Sequence, residues 1–353
     1  MNIPTGYQIV PIDPAAMSRA ELEEAALLQQ ALMRERVPED PPTPTEVITK
    51  RMTAVVPGQW RALFAARDRA GAAAGFVFVG RSLNEPENAH VRWTEIGVLP
   101  EHRRHGVGRA LYRAAVEVCL DQGTDLVFMG MTSDRVADGT HFAEAIGASA
   151  GLVMKTNQLD LAAVHRATVA EWASLDPAGY RLESSDDVVP DRLVQPYIDA
   201  ANSMNDMPKG TMRFNDERMT EAQLRERESW RKQTGVRSRL IVAVDDATGE
   251  GAGFTEVTYD PKVPHLIWQQ GTGVVAKHRG HKLGLWMKAV MLERILREWT
   301  EAKYVRTGNA NENQWMLAIN TQLGFRHAWS NTMWQLPVAE ARASLGLRDE
   351  ARV

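Results

Sequence analysis

The chain has 353 residues, a length that suits two domains of ordinary size better than one. Its 44% hydrophobic and 24% charged residues are typical of a soluble globular protein, and its net charge of −4 disfavours non-specific binding to nucleic acid or to an anionic membrane. The single cysteine, Cys119, excludes an internal disulfide, and no apolar run is long enough to span a bilayer. Because the first ten residues also lack a signal-peptide pattern, we expect a cytoplasmic protein.

Hydrophobic periodicity and capping residues predict alternating strands and helices in the first part of the chain. Ser18 and Glu21 have the spacing of a capping box at the start of a helix, and Gly147 is a typical helix end. We predict strands at residues 6–11, 61–67, 73–80, 90–98, 125–131 and 152–161, and helices at residues 18–36, 45–52, 107–122 and 140–146.

The second part of the chain repeats this order of elements after a join that contains a short helix. We predict strands at residues 180–183, 240–245, 253–259, 266–275, 304–307 and 328–336, and helices at residues 191–204, 220–234, 283–300 and 313–322. The sequence therefore predicts a first domain at residues 1–161, a linker at 162–178, a second domain at 179–338 and a tail at 339–353.

A twelve-residue segment confirms that the repeat is one of sequence. GVLPEHRRHGVG, from Gly97 to Gly108, returns as GVVAKHRGHKLG, from Gly273 to Gly284, with six residues unchanged at an offset of 279 − 103 = 176. A repeat of this length indicates two copies of one domain.

The first copy joins a strand that ends at Val98 to a helix that begins at Val107, through arginines and glycines. Unpaired N–H groups at a helix N-terminus attract anions, glycine lets them approach phosphate oxygens, and arginine adds charge-assisted hydrogen bonds. The loop lacks the Lys-Ser/Thr of a nucleoside-triphosphate loop and the glycine spacing of a dinucleotide fold. A single copy could equally be a surface turn with solvated arginines, but its repetition favours a phosphate site.

These residues resemble a known family. Arg103-x-x-Gly106-x-Gly108 matches the pyrophosphate-binding pattern (Gln or Arg)-x-x-Gly-x-(Gly or Ala) of the GNAT acetyltransferases, and the segment that starts at Glu95 resembles their fourth strand. The order of elements in each half is similar to that family as well. The resemblance implies an α/β (α+β) fold of two tandem GNAT domains, each a mixed, mostly antiparallel sheet flanked by helices, as in two-domain members of the mycothiol synthase type.

The resemblance also implies acetyl-CoA as co-substrate, without a metal, in a cleft where the fourth and fifth strands separate. An amine would attack the thioester directly, and a base would take the amine proton. In the first copy it assigns CoA binding to Ile96, Gly97, Val98, Arg103, Arg104, His105, Gly106, Val107 and Gly108, and in the second copy to Thr272, Gly273, Val274, Arg279, Gly280, His281, Lys282, Leu283, Gly284 and Asn313.

The first copy retains the better loop and the second copy the better final helix. Glu95 supplies a candidate base in the first copy, where Val136 and Ala143 replace the family's pantetheine-contacting asparagine and its tyrosine. In the second copy Asn313 and Asn320 fall at those two positions. Asn320 could donate a hydrogen bond to a thiolate but could not protonate it.

The second copy departs from the pattern on its fourth strand and loop, because Gly271 falls at the place of Glu95 and Lys282 at the place of the first loop glycine. We therefore favour the N-terminal half as the catalyst. Structural alternatives remain open for each site: Glu95 as a solvent-facing strand residue, Asn313 as a helix cap and Asn320 as an ordinary helix residue.

Other residues are weaker candidates. His102 and His105 lack a third ligand for a metal, and loop histidines usually face water. Tryptophans on the two fourth strands and carboxylates in the connections after the first helix of each half could wall an acceptor site; these are Trp93, Trp268, Glu39, Asp40 and Asp206.

The sequence thus predicts a transfer of acetyl from acetyl-CoA to a primary amine on a small molecule, by a monomer or homodimer. A non-catalytic CoA-binding module and a protein lysine or N-terminal acetyltransferase are the alternatives. The first is favoured by the missing tyrosines, and the second would require an open peptide groove.

Overall fold

The computed structural model describes residues 6–56, 58–123, 125–310 and 313–347. They divide into two compact units, each with hydrophobic core residues of its own. Unit 1 comprises Met1–Val153, Lys209–Asn215 and Ser330–Val353, and unit 2 comprises Met154–Pro208 and Asp216–Trp329.

Unit 1 is a mixed sheet with helices packed on it. Strands β1 to β4 pair in order and antiparallel, β4 is parallel to β5, and β5 is antiparallel to the second part of β12. The strands are β1 Gln8–Ile12, β2 Gln59–Arg67, β3 Ala73–Ser82, β4 Val91–Val98 and β5 Val127–Ser133, with parts of β6 Ser149–Asp160 and β12 Arg326–Pro337; the helices are α1 Arg19–Arg36, α2 Thr45–Thr53, α3 Val107–Glu117, α4 Ala137–Ala145 and α10 Val338–Ser344.

Unit 2 repeats this plan. Strands β7 to β10 pair in order and antiparallel, β10 is parallel to β11, and β11 is antiparallel to the second part of β6. The strands are β7 Tyr180–Asp186, β8 Arg237–Asp245, β9 Gly251–Tyr259, β10 Leu266–Val274 and β11 Tyr304–Ala310; the helices are α5 Arg166–Ala173, α6 Asp191–Ala201, α7 Glu221–Thr234, α8 Leu283–Glu298 and α9 Gln314–Leu323.

Local sequence explains the elements that position the loops. Ser18 and Glu21 form both bonds of the predicted capping box, and Gly147 adopts the left-handed conformation after α4. In α3, apolar residues recur at helical spacing and are buried against the sheet; among them are Val107, Leu111 and Ala115. The predicted fold class, with mixed and mostly antiparallel sheets flanked by helices, is confirmed.

The compact units divide the chain at places other than the predicted boundaries at residues 161 and 179. Residues 331–337, from the end of the chain, pair with β5 in unit 1, whereas residues 154–160 pair with β11 in unit 2. The expected tail also begins with α10, which packs on the core of unit 1. Alternating apolar residues reveal that a segment is a strand but not which strand it joins, so the sequence pattern could not disclose this exchange.

Three predicted helix ends differ by three or more residues. Helix α3 ends at Glu117 rather than at residue 122, α6 ends at Ala201 rather than at residue 204, and α4 begins at Ala137 rather than at residue 140. Among the helices that the structure describes, none combines the length and the apolar content needed to cross a membrane.

Candidate active site

Two parallel strands separate in each unit, next to the repeated loop. In unit 1 the pairing of β4 with β5 covers only Val91 to Trp93, so residues 94–98 leave one backbone edge unpaired by β5. In unit 2 the pairing of β10 with β11 ends at Gln269, where a bulge in β10 begins. Both gaps lie where the resemblance places the pantetheine arm.

The two loops have one backbone geometry despite their different sequences. In unit 1 Arg104 (φ 62°) and Gly106 (φ 84°) are left-handed, and in unit 2 Gly280 (φ 86°) and Lys282 (φ 59°) are left-handed. These are the same two positions at the offset of 176. The lysine at residue 282 therefore does not change the shape of the loop. Unit 2 has its glycine at the first left-handed position, Gly280, whereas unit 1 has its glycine at the second, Gly106.

Both loops present a row of free backbone donors. The N–H groups of residues 104–109 and of residues 280–285 have no hydrogen-bond acceptor in the described part of the chain. Left-handed residues followed by a helix N-terminus aim successive N–H groups into one concavity, which binds anions. The side chains of Val107 and Leu283 are buried in the cores, so these two residues contribute through their backbone. The residues present fit a pyrophosphate group in both units.

The repeated arginine braces the loop in each unit. Arg103 donates from Nε to the Val98 carbonyl oxygen at 3.0 Å, binds Glu35 through two bonds of 2.7 and 2.5 Å, and reaches Asp138 at 3.1 Å. The hydrogen bonds that Arg103 donates to the Glu35 carboxylate raise the pKa of Arg103. Its guanidinium is thus held by protein groups, whereas the sequence predicted that it faces a phosphate.

Arg279 of unit 2 makes the corresponding bonds. Its Nε donates to the Val274 carbonyl oxygen at 3.1 Å, and Nη2 binds Asp206 at 2.5 Å. The predicted acceptor-wall carboxylates are therefore engaged, since Glu39 also pairs with Arg135 at 2.6 Å. Sequence reasoning missed the carboxylate partners because ion pairs between distant segments leave no local pattern.

A tyrosine–histidine pair supports the turn before each loop. The hydroxyl of Tyr7 lies 3.0 Å from His102 Nδ1, and that of Tyr180 lies 3.0 Å from His278 Nδ1, with rings at 89° in both pairs. His105 is exposed, as expected of a loop histidine. The described residues contain no group of three or more side chains that could hold a metal ion. The sequence marks this histidine by repeating it in both halves. It does not reveal the tyrosine partner, because Tyr7 and Tyr180 lie at the start of each half, about 95 residues or more before the histidine.

Glu95 lies on β4 beside the gap between β4 and β5. Its side chain is exposed and makes no hydrogen bond or ion pair within the described residues. Trp93, two residues earlier and hence on the same face, is 42% exposed. A carboxylate and an indole therefore both face solvent where an acceptor would approach.

The corresponding face of unit 2 is covered. A Cβ atom added to Gly271 would lie 2.6 Å from the Phe254 ring and 3.6 Å from the Met204 sulfur, and one added to Gly273 would lie 2.3 Å from the Ser203 hydroxyl oxygen. Position 271 has no room for a carboxylate side chain without rearrangement. Trp268 remains 40% exposed, as Trp93 is in unit 1.

The two asparagines of the last helix of unit 2, α9, make different contacts. Asn313 caps α9 and accepts a hydrogen bond of 3.2 Å from the Met316 N–H. Asn320 is only 2% exposed and donates from Nδ2 to Asn309 Oδ1 at 2.9 Å, while its own Oδ1 is buried without a partner in the described residues. The helix-cap alternative for Asn313 is thus observed, and its contact with pantetheine stays a prediction.

Comparisons with known proteins agree with this geometry. Residues 26–147 match the acetyltransferase (GNAT) family model. A tandem GNAT protein from the clavulanic acid biosynthesis pathway has a TM-score of 0.76 and 25% identity, over 94% of this chain and 98% of its own. A GCN5-related N-acetyltransferase from Sphaerobacter thermophilus has a TM-score of 0.64 and 15% identity, over 96% and 97%.

A third similar structure is the GCN5-related glucosamine N-acetyltransferase region of a fungal multi-domain β-N-acetylglucosaminidase, with a TM-score of 0.64 and 14% identity over 95% of this chain and 38% of that one. No curated protein matches the chain. The fold and the matched residues place a GNAT acetyltransferase domain in the first half. Over nearly its whole length the chain is similar to a tandem GNAT protein, as its repeat led us to expect.

Proposed function

We propose that the protein is an acyl-CoA-dependent N-acyltransferase in which unit 1 transfers an acetyl group to a primary amine of a small molecule. The observation that carries this proposal is the exposed carboxylate of Glu95 beside the strand gap and the loop of free N–H groups. The GNAT match to residues 26–147, which include this carboxylate and this loop, supports it.

Each group of unit 1 then has a role. CoA supplies an acyl group activated as a thioester. Backbone groups of Ile96, Gly97 and Val98 hold the pantetheine arm at the unpaired edge of β4, and residues 104–109 hold the pyrophosphate. A backbone N–H at the same edge stabilises the negative charge that develops on the carbonyl oxygen during attack.

Glu95 accepts the proton that the attacking amine loses, directly or through one water molecule. The buried Ala143 stands where the family has its tyrosine, so that position offers no acid for the departing thiolate, which takes its proton from solvent. An amine with an apolar body suits the acceptor position because the Trp93 indole lies beside the carboxylate.

We propose further that unit 2 holds CoA without catalysing transfer. Its loop has the free N–H groups and the left-handed residues of the first, but Phe254 and Met204 cover the place where a base would stand. This retains, for one half, the alternative of a non-catalytic CoA-binding module.

The test of catalysis replaces Glu95 by glutamine and measures release of the free CoA thiol with a panel of small amines. We expect kcat to fall about 100-fold or more, as is usual when a general base is removed, with the CoA dissociation constant changed less than about twofold. Glu101→Gln is the matched control, because Glu101 is an exposed glutamate on the turn after β4. Unchanged turnover in Glu95→Gln would place the base elsewhere, and absence of turnover in the wild type with every amine would favour a binding module.

A further inference from the structure

An exposed tryptophan stands at the start of the last helix of unit 2. Trp315 is the second residue of α9, and 88% of it is exposed to solvent. Of the large hydrophobic residues recorded as exposed in the described part of the chain, it has the highest exposed fraction. An exposed indole beside a binding site presents a flat aromatic face on which a planar ligand group can stack.

The helix geometry places Trp315 beside the second loop. The Ile319 side chain lies 3.7 Å from a Cβ added to Gly284, so this face of α9 lies against the beginning of α8. Trp315 precedes Ile319 by four residues, which puts the two side chains on one face, one turn apart. The indole therefore lies on the face of α9 that packs against the start of α8, one turn before the contact with Gly284.

Unit 1 shows that a side chain at this position reaches the loop. Asp138 is the second residue of α4, and Phe142, four residues later, contacts the Gly108 position at 3.3 Å. Asp138 itself lies 3.1 Å from the loop residue Arg103. Trp315 and Asp138 occupy corresponding places, so unit 2 has an indole where unit 1 has a carboxylate.

The chemistry of the Trp315 position indicates which part of a ligand would contact it. A carboxylate at this position in unit 2 would repel a phosphate group. An indole instead offers a flat apolar face beside the loop of free N–H groups at residues 280–285, which includes the exposed Lys282. In CoA the pyrophosphate is followed by adenosine, whose purine stacks on aromatic side chains. We propose that Trp315 stacks on the adenine of CoA bound to unit 2; this rests on the proposed binding of CoA by that unit.

The test is calorimetric titration of the full chain with CoA and, separately, with 4′-phosphopantetheine, which lacks the 3′-phosphoadenosine and one phosphate of the pyrophosphate. Trp315→Ala should weaken CoA about 10-fold at one of two sites, because base–aromatic stacking contributes on that order. The other site serves as an internal control. Trp315→Phe should restore most of the CoA affinity, and the affinity for 4′-phosphopantetheine should be the same in all three proteins.

The outcomes separate this proposal from the one before it. Two CoA sites with affinities unchanged in Trp315→Ala would overturn the role of Trp315 and leave CoA binding by unit 2 intact. An equal loss for CoA and 4′-phosphopantetheine would show that the tryptophan supports the loop rather than the adenine. A single CoA equivalent that Gly108→Glu abolishes would overturn both proposals.

Discussion

The two loops have the same backbone conformation but different residues at its left-handed positions. The strands beside the loops lie at corresponding places, but side chains cover only the strand of unit 2. Left-handed residues occur at 104 and 106 in unit 1 and at 280 and 282 in unit 2, yet glycine stands second in the first pair and first in the second. On the strand, exposed Glu95 corresponds to covered Gly271. The comparison teaches that the backbone conformation of the loop is the same in both units, while the side chains on the adjoining strand differ.

The contacts that support the loop are also the same in both units. The arginine bond to the carbonyl at the strand end and the tyrosine–histidine pair recur with distances that agree within 0.1 Å. The second residues of the helices beside the loops, by contrast, differ in charge and size, as Asp138 and Trp315 do. Retention of the supports in unit 2 is what we expect if its loop still binds an anion.

The largest predicted effect tests whether both loops bind CoA. Gly108→Glu and Gly284→Glu each place a carboxylate beside a cradle, and each should remove one of two CoA equivalents in calorimetry, since juxtaposed like charges cost several kcal/mol. The controls are Gly108→Gln and Gly284→Gln, which have nearly the same size without the charge.

These controls matter most in unit 1, where a Cβ at residue 108 already approaches the Phe142 ring to 3.3 Å, against 3.7 Å for the nearest atom at residue 284. If both glutamate variants still bind two equivalents, the loops are only turns. Loss in one variant alone would assign CoA to that unit.

A second prediction concerns the helices after the loops, where Tyr112 of unit 1 corresponds to Lys288 of unit 2. Burial lowers the pKa of Lys288 to about 7 and raises the pKa of Tyr112 to about 12. Between pH 7 and 10 the unfolded chain keeps the lysine protonated while the folded chain does not. The free energy of unfolding should therefore rise with pH, by at most about 1.4 kcal/mol per pH unit from this group.

Urea unfolding of Lys288→Met at pH 7, 8 and 9 checks this sign. The variant should lose the lysine's part of the rise and be more stable than the wild type at pH 7, because it buries no amine. Tyr112→Phe should keep the slope of the wild type, since the tyrosine is neutral in both states over this range. An identical slope in the wild type and Lys288→Met would mean that Lys288 stays charged in the fold.

Much of this architecture could be predicted because it depends on local patterns. The repeated segment, the strand before it and the helix after it are contiguous in sequence, so periodicity and capping residues such as Ser18 locate them. The exchange of strands could not be predicted, because residues 154–160 and 331–337 carry no mark of the strand with which they pair.

The candidate site divides in the same way. Glu95 was found because it lies three residues before Val98, within one motif, whereas Glu35 and Tyr7 approach the loop only through the fold. Lys282 was interpreted as a departure from the pattern because sequence alone does not show φ. Only the structure reveals that a non-glycine residue takes a left-handed conformation at either of the two positions.

The smallest predicted effect tests that shared backbone directly. A left-handed conformation costs a residue with a Cβ about 1–2 kcal/mol, part of which glycine offsets by its greater freedom in the unfolded chain. Arg104→Gly and Lys282→Gly should therefore each raise the free energy of unfolding by about 0.5–1 kcal/mol. Gly280→Ala should lower it by a similar amount, and its effect is purely conformational because an added Cβ would have no atom within 4 Å. Urea unfolding of the three variants measures these changes, and a loss of stability in Arg104→Gly or Lys282→Gly would mean that their side chains support the loops in some other way.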